Sequence, residues 1–294
     1  MTERTGHSDG TFGPPNSPDE PDGTIDITVA HTSRVYDYLL GGTNHFAVDR
    51  EVAQHAFSAY PGGVDGARAD ARANRAFLGR AVRHLAGEAG VHQFLDIGTG
   101  IPNADNTHAV AQETVSSARI VYVDNDPIVL AHSHTMLRSH PRGATAYIHA
   151  DLREPDVIVK KAAATLDLHQ PIALVLIGLL HVIPDSEDPY GLVGRLVEAV
   201  PPGSYLAISH ITTDGEPQHM SEVMERLGRT MQGSNPPALR PLPDVRRFFD
   251  GLDLVEPGLV PVNDWRPDQL PPPGQHPARR SPLYGAIARK PAGA

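Results

Sequence analysis

The stretch QFLDIGTGIPNADNTH, residues 93–108, decides how the rest of the chain is read. A short apolar run carries an acid, two glycines stand one residue apart at 98 and 100, and a polar segment able to start a helix follows. Glycine permits a tight turn and lets the backbone approach a ligand with no side chain between. Pro102 fits just inside the following helix, where its missing N–H has no helical partner to lose. Strand, glycine turn and helix together make a nucleotide cradle. A glycine pair alone does not say which nucleotide.

Outward from this turn, short apolar runs alternate with helical stretches. QFLDIG, ARIVYVDND, TAYIHAD, IALVLIGLL and SYLAISHI read as strands, with helices at 106–116, 127–139, 157–168 and 189–200 between them. That alternation predicts an α/β fold built on a doubly wound, mostly parallel sheet. Runs apolar at successive positions suit strands covered on both faces.

Before the turn the spacing predicts three helices. One begins at Ser33, has Val35, Tyr38 and Leu39 on one face, and is stopped by Gly41 and Gly42. Val52, Ala53, Ala56, Phe57 and Tyr60 mark a second. On a third, beyond GGVDG, Ala67, Ala71, Asn74, Leu78, Ala81 and Leu85 recur at helical intervals. After the fifth strand come helices at 216–231 and 243–249 and two late strands, in LDLVEPG and LYGAIARK. The proline-rich PVNDWRPDQLPPPGQHPARRSP between them is expected to be a surface loop. The chain divides accordingly into a leader (1–23) expected to be disordered for its Gly/Pro/Ser/Asp bias, a helical region (24–90) and a core (91–294).

Composition removes several classes. With 25 Lys and Arg against 35 Asp and Glu the formal charge is −10, so no basic stripe is available for a phosphate backbone and no nucleic-acid partner is expected. The absence of cysteine excludes disulfides, thiolate nucleophiles and cysteine–zinc sites, and fits a reduced cytoplasm. The 16 histidines are scattered, and none pairs with a nearby acid at helical spacing, so no metal site is expected. The longest apolar run, 172–183, is far short of the roughly 20 residues that cross a bilayer. The N-terminus has no apolar core of a secretory signal, and a soluble protein with no membrane partner is expected.

Three features narrow the nucleotide. The third glycine of the dinucleotide pattern would fall at Asn103, which counts against NAD or FAD. Asp96, two residues before the turn, would repel a pyrophosphate but suits a ligand carrying a positive amine. The second strand ends in VDND, placing Asp124 to accept from both ribose hydroxyls with Asn125 beside it. The third ends in HADLRE, where Asp151 could accept from an exocyclic adenine amine and Leu152 could offer a flat apolar contact. An adenosine bearing an amino acid answers to all of these, and that is S-adenosylmethionine. Each residue also has a plainer reading: an αβ turn for Gly98, Thr99 and Gly100, a helix cap for Asp124, an ion pair for Asp96, a turn for Asp151.

At these residues the chain resembles the class I S-adenosylmethionine-dependent methyltransferases. More narrowly, it resembles an actinobacterial family of methyltransferases once classed as of unknown function. HTSRVYDYLLGGTNHFAVDRE, NRAFLGRAV, QFLDIGTGIPNADNTH, IVYVDNDPIVLAH, ADLREP, LHVIPD, GSYLAISH and GLVPVNDWRP carry the resemblance, which covers about 27–290. It implies a Rossmann-like, seven-stranded sheet with a late antiparallel hairpin. It also favours reading RVYDYLLGG as part of an N-terminal helical lid, with Tyr36, Gly41 and Gly42 near the cofactor and Tyr36 close to the sulfonium. A core helix with a glycine cap would explain the same block. Arg75 could meet the cofactor carboxylate, or be a solvated helix residue. His181, directly after the fourth strand, is the candidate general base for a protic acceptor, with His210 behind it; a histidine bonded within the core is the competing reading. The expected activity is methyl transfer to a small molecule, and a non-catalytic S-adenosylmethionine-binding sensor is the alternative.

Overall fold

The computed structural model describes residues 26–102, 105–129, 139–214, 217–230, 238–268 and 281–293. The expected leader, Asn103, most of the helix expected at 127–139 and the proline-richest part of the late loop lie outside these residues.

Five parallel strands form as the alternation of apolar runs requires: β1 (Gln93–Ile97), β2 (Arg119–Asp124), β3 (Ala144–His149), β4 (Ala173–Ile177) and β5 (Tyr205–Ile211). Late in the chain come β6 (Asp253–Leu254), β7 (Val260–Pro261) and β8 (Leu283–Arg289). The strand order is β3-β2-β1-β4-β5-β8-β6, with β8 antiparallel to β5 and β7 paired to β8 beside that path. The expected seven-strand path is present, and β7 is an eighth strand the sequence reading did not separate from the loop. From β1 the chain winds outward first through β2 and β3, then the other way through β4 and β5. The crevice of a doubly wound sheet opens at such a reversal, beyond the carboxyl ends of the strands. Here that is the tip of β1, where the glycine turn sits.

Both faces of the sheet are covered, which is why the strands read as unbroken apolar runs. Leu95, Ile97, Val121, Val123, Leu174 and Leu176 pack toward α5 (Pro155–Ala162) and α6 (Pro189–Glu198). Phe94, Ile120, Tyr122 and Val175 pack toward α3 (Gly63–Gly87) and α4 (Thr107–Thr114). α1 (Thr32–Leu40), α2 (Ala47–Ala56) and the first half of α3 join α7 (Pro217–Thr230) in a third core through Val35, Leu39, Ala53, Ala67, Met220 and Val223. The 25-residue α3 therefore belongs to two cores, its second half lying on the sheet and its first half carrying the N-terminal helices. α8 (Leu242–Arg247) precedes the late strands.

One expectation is corrected. The start of the late proline-rich stretch is interior, not surface: Val262 and Trp265 are fully buried. Arg80 of α3 donates to the carbonyls of Val262 (2.5 Å) and Trp265 (2.9 Å), and Phe77 meets the Trp265 ring edge-on. Two apolar residues three apart in a proline-rich context carry no periodicity, so composition alone hid them.

Candidate functional site

At the tip of β1 the backbone turns with Gly98 at φ +73° and Gly100 at φ +64°. A Cβ on Gly98 would lie 2.6 Å from Leu179 Cδ1, so the turn at β1 and the segment after β4 are packed against each other. Beyond the turn is a cleft of about 270 Å³ including its open mouth, lined by Arg75, Asp96, Thr99, Gly100, Pro102, Asn106, Thr107, Tyr122 and Tyr147. Strands β1, β2 and β3, helix α3 and the start of α4 each contribute to its wall.

Two buried carboxylates flank this turn. Asp96 is 6% exposed, and Thr107 Oγ1 donates to it at 2.5 Å. Burial pushes its carboxyl up to about 6, against the opposing pull of Thr107 and Arg75. Asp124, at the end of β2, accepts from the backbone N–H of Gly100 (2.8 Å) and of Asp126 (3.0 Å). Burial raises it too, with those two backbone bonds opposing. Each of its oxygens has one bond from the protein and a remaining lone pair. Arg75 reaches the same cleft from α3 and donates to Asn106 Oδ1 at 2.8 Å.

Farther along the strand tips, Asn125 Nδ2 donates to Asp151 Oδ2 at 2.7 Å, and Arg153 bonds both oxygens of that carboxylate and then Glu187. Asp151 is thus tied into a surface network. Leu152 is buried in the sheet core.

The N-terminal helices close on this edge through Asp126. Ser33 Oγ donates to Asp126 Oδ2 at 2.5 Å, and His31 Nδ1 lies 3.0 Å from the same oxygen. Burial would raise Asp126, but the bonds from His31 and Ser33 prevail and hold it down at about 2. Gly41 is the left-handed cap of α1, and a Cβ on Gly42 would sit 2.1 Å from Asp37 Oδ1. Neither glycine lines the cleft; the helix end and the buried Asp37 account for both. Tyr36 is half-buried, with its hydroxyl within hydrogen-bonding distance of Ala71 O (3.2 Å) and Asn74 Nδ2 (3.1 Å).

His181 follows β4 in a short 3-10 turn and does not line the cleft. Its ring meets His210 edge-on at 5.9 Å, and its Nδ1 is buried with no hydrogen-bond partner. Burial and the Arg240 guanidinium lower it to about 4, so it is neutral at neutral pH. His210 is held as the Nδ1–H tautomer, donating to Ile211 O (2.6 Å) and accepting from Arg240 at Nε2 (2.9 Å). Burial first, then His181, lowers it to about 3.

Sequence reasoning missed Thr107, Tyr122, Tyr147 and Asp126. Tyr122 and Tyr147 were legible only as strand residues, and their registry on adjacent strands brings both to the cleft. Thr107 and Asp126 stand inside the quoted stretches, but nothing in the spacing says that Thr107 will meet Asp96 or that Asp126 will meet His31 and Ser33.

An adenosine with a cationic amino acid fits these groups. Asp96 is a buried carboxylate whose charge needs a cation, since desolvation is what holds its proton. Thr99 and Tyr147 both stand on the cleft wall, and the Thr99 hydroxyl interacts with the buried Tyr147 phenol. Among the described residues no group of three or more His, Cys, Asp or Glu could hold a metal ion, and no helix is long and apolar enough to cross a membrane.

A family model described as S-adenosyl methyltransferase matches residues 18–291. Among solved structures, a DUF574 family protein from Streptomyces avermitilis is 43% identical, with 91% of this chain and 100% of the other covered and a TM-score of 0.84. A candidate methyltransferase from Thermobifida fusca is 37% identical, with 91% and 97% covered and a TM-score of 0.80. No curated protein matches the chain. With a match running almost end to end and close structural relatives over nine-tenths of its length, this chain belongs to the S-adenosyl methyltransferase family and is an S-adenosylmethionine-dependent methyltransferase of Rossmann-like fold.

Proposed function

We propose that this chain transfers a methyl group from S-adenosylmethionine to a small-molecule acceptor, with the cofactor lying across the tips of β1, β2 and β3. The observation that carries this reading is the pair of buried carboxylates either side of the glycine turn, Asp96 and Asp124. Asp96 takes the ammonium of the amino acid, a cation that compensates its desolvation, and Arg75 takes the carboxylate. Asp124 takes the ribose hydroxyls on its remaining lone pairs, with the Gly98–Thr99–Gly100 backbone alongside. Asn125 and Asp151 stand at the adenine end. The Asp151 oxygens are already bonded by Asn125 and by the Arg153 side chain and backbone, and must release one of those bonds to take the exocyclic amine. Leu152 belongs to the sheet core. Tyr36 and the helices that carry Gly41 and Gly42 close over the ligand, pinned by His31 and Ser33 to Asp126.

When bound, the cofactor supplies a methyl group on a sulfonium, already joined to a good leaving group. The protein's share is alignment and exclusion of water, which can contribute several kcal/mol to an in-line displacement. His181 is neutral, but its burial away from the cleft and a pKa lowered to about 4 make it a weak base where it stands, so this reading rests on alignment and not on a general base. The formal charge of −10 favours a small acceptor over nucleic acid. In this reading the protein works in the cytoplasm, where its cofactor is available.

Calorimetry with S-adenosylhomocysteine tests the assignment on Asp124→Asn, which keeps the shape and removes the charge. A hydrogen bond to a charged group contributes about 1.5–3 kcal/mol, so the affinity is expected to fall about 10- to 100-fold with the fold intact. An unchanged affinity, or binding of NADH in preference, refutes it.

A further inference from the structure

Helix α4 starts with three consecutive residues, its cap Asn106 and then Thr107 and His108, and each ties the first turn to a different element. Asn106 Oδ1 accepts from Arg75 Nη2 on α3 at 2.8 Å. Thr107 Oγ1 donates to Asp96 Oδ2 on β1 at 2.5 Å. The N–H of His108 donates to the Tyr122 hydroxyl on β2 at 2.7 Å, and His108 Nδ1 lies 2.8 Å from the same oxygen. Tyr122 is the register partner of Asp96, so this last tie seats the helix end beside the carboxylate.

Helix stability does not explain this arrangement. An asparagine at a helix cap ordinarily accepts from the backbone N–H two or three residues on. Asn106 makes no such bond, and its side-chain oxygen is turned to Arg75 instead. The His108 N–H that it could have capped is satisfied by Tyr122. Thr107 is 1% exposed, and an ionised carboxylate can only accept, so its one hydroxyl hydrogen points at Asp96. Asn106, Thr107, Arg75, Asp96 and Tyr122 all line the cleft.

The two groups held in this way carry opposite charges and stand on separate elements, Arg75 on α3 and Asp96 on β1. The ammonium and carboxylate of an α-amino acid leave the same carbon, so their separation is fixed. A receptor for both must keep its own two charges at a matching separation. Residues 106 and 107 are adjacent, so Arg75 and Asp96 are both referred to a single helical turn. Both holders are neutral, and each orients its partner while leaving the charge uncancelled. The bond from Thr107 also favours the charged form of Asp96 against burial, as Arg75 does from across the cleft.

We propose that Asn106 and Thr107 are positioning residues for the amino-acid end of the cofactor: Asn106 orients the Arg75 guanidinium toward the carboxylate, and Thr107 orients Asp96 toward the ammonium. The inference rests on the cofactor placement of the proposed function. It makes the start of α4, pinned to the sheet through His108 and Tyr122, the element that selects a ligand carrying both charges over an adenosine thioether without them.

The test is calorimetry with three thioethers: S-adenosylhomocysteine, which has both charges; its decarboxylated analogue, which keeps the ammonium alone; and 5′-methylthioadenosine, which has neither. Asn106→Leu is expected to weaken S-adenosylhomocysteine about three- to ten-fold, in line with one hydrogen bond, and to leave the other two unchanged. Thr107→Val is expected to weaken S-adenosylhomocysteine and the decarboxylated analogue by a similar factor, with methylthioadenosine unchanged. Thr107→Ser, which restores the hydroxyl, is expected to bind all three as the wild type does. Asn106 is only half-buried, so its variant keeps the test in force should the buried Thr107→Val change prevent folding. Equal weakening of all three ligands would mark a structural role, and unchanged affinity for S-adenosylhomocysteine would mean that neither residue orients its partner; either result overturns the proposal. A wild type that binds S-adenosylhomocysteine no more tightly than methylthioadenosine overturns instead the roles of Asp96 and Arg75 in the proposed function.

Discussion

Consider replacing Asp96 by asparagine, which keeps the shape of the side chain and removes its charge. In the native protein the carboxyl titrates at about 6, against an ordinary 3.8, because it is desolvated at 6% exposure. A rise of about 2 pH units corresponds to about 3 kcal/mol of cost in holding the charge at neutral pH. Thr107 donates to this carboxylate, and exchanging a charged acceptor for an amide returns about 1 kcal/mol of that. Asp96→Asn is therefore expected to stabilise the unliganded protein by about 2 kcal/mol at pH 7. Its pH dependence follows from the raised pKa. Between about pH 4 and pH 6 the native carboxyl keeps a proton that the unfolded chain has lost, so wild-type stability falls as pH rises through that window. The advantage of the variant should be absent below about pH 4, grow through the window and level off above about pH 6. Urea unfolding of both proteins at matched pH values, subtracting one series from the other, isolates this group from all others. In the same variant the affinity for S-adenosylmethionine should fall about 10- to 100-fold, because the ammonium loses its partner. A variant less stable than wild type at every pH, or a difference that does not vary with pH, would show that Asp96 is a satisfied structural acid and not one waiting for a cation.

Three further outcomes are expected. Gly98→Ala places a Cβ at φ +73° and 2.6 Å from Leu179, and should cost about 2 kcal/mol or more by chemical denaturation; adding Leu179→Ala should recover part of it, and strict additivity would refute the clash. Trp265→Ala empties a fully buried site and should cost about 3–5 kcal/mol by circular dichroism in urea, while Trp265→Phe should cost clearly less because the buried indole N–H it removes has no acceptor; equal losses would refute that. Asp126→Asn should cost about 2 kcal/mol at pH 7 and speed dissociation of S-adenosylhomocysteine in stopped flow. Since Asp126 is held down at about 2, this contribution is present above about pH 4 and fades only as pH falls toward 2. An unchanged dissociation rate would mean that the His31–Ser33 clasp does not hold the N-terminal helices over the ligand.

The sheet was legible because its cause is local. Strands such as β1 and β4 are buried on both faces, so their apolar runs are continuous, and the helices between them set parallel connections. Gly98 and Gly100 announced the turn because their backbone angles are ones that side chains resist. The late stretch failed for the converse reason. Trp265 is interior because Arg80 and Phe77, about 185 positions earlier, fold over it, and proline-rich composition says nothing about such distant partners.

What the chain determines by itself is where it turns, which segments are buried and which acids stand at strand tips, since these depend on neighbours within a few residues. Which acid is strained and which is satisfied was decided only by the tertiary structure. Asp96, Asp124 and Asp126 are one residue type within 31 positions, yet one is raised to about 6 by burial, one is held between two backbone N–H groups, and one is held down at about 2 by the helices that close on it. Ionisation depends on solvent exclusion and on hydrogen bonds from distant parts of the chain, and both exist only after folding.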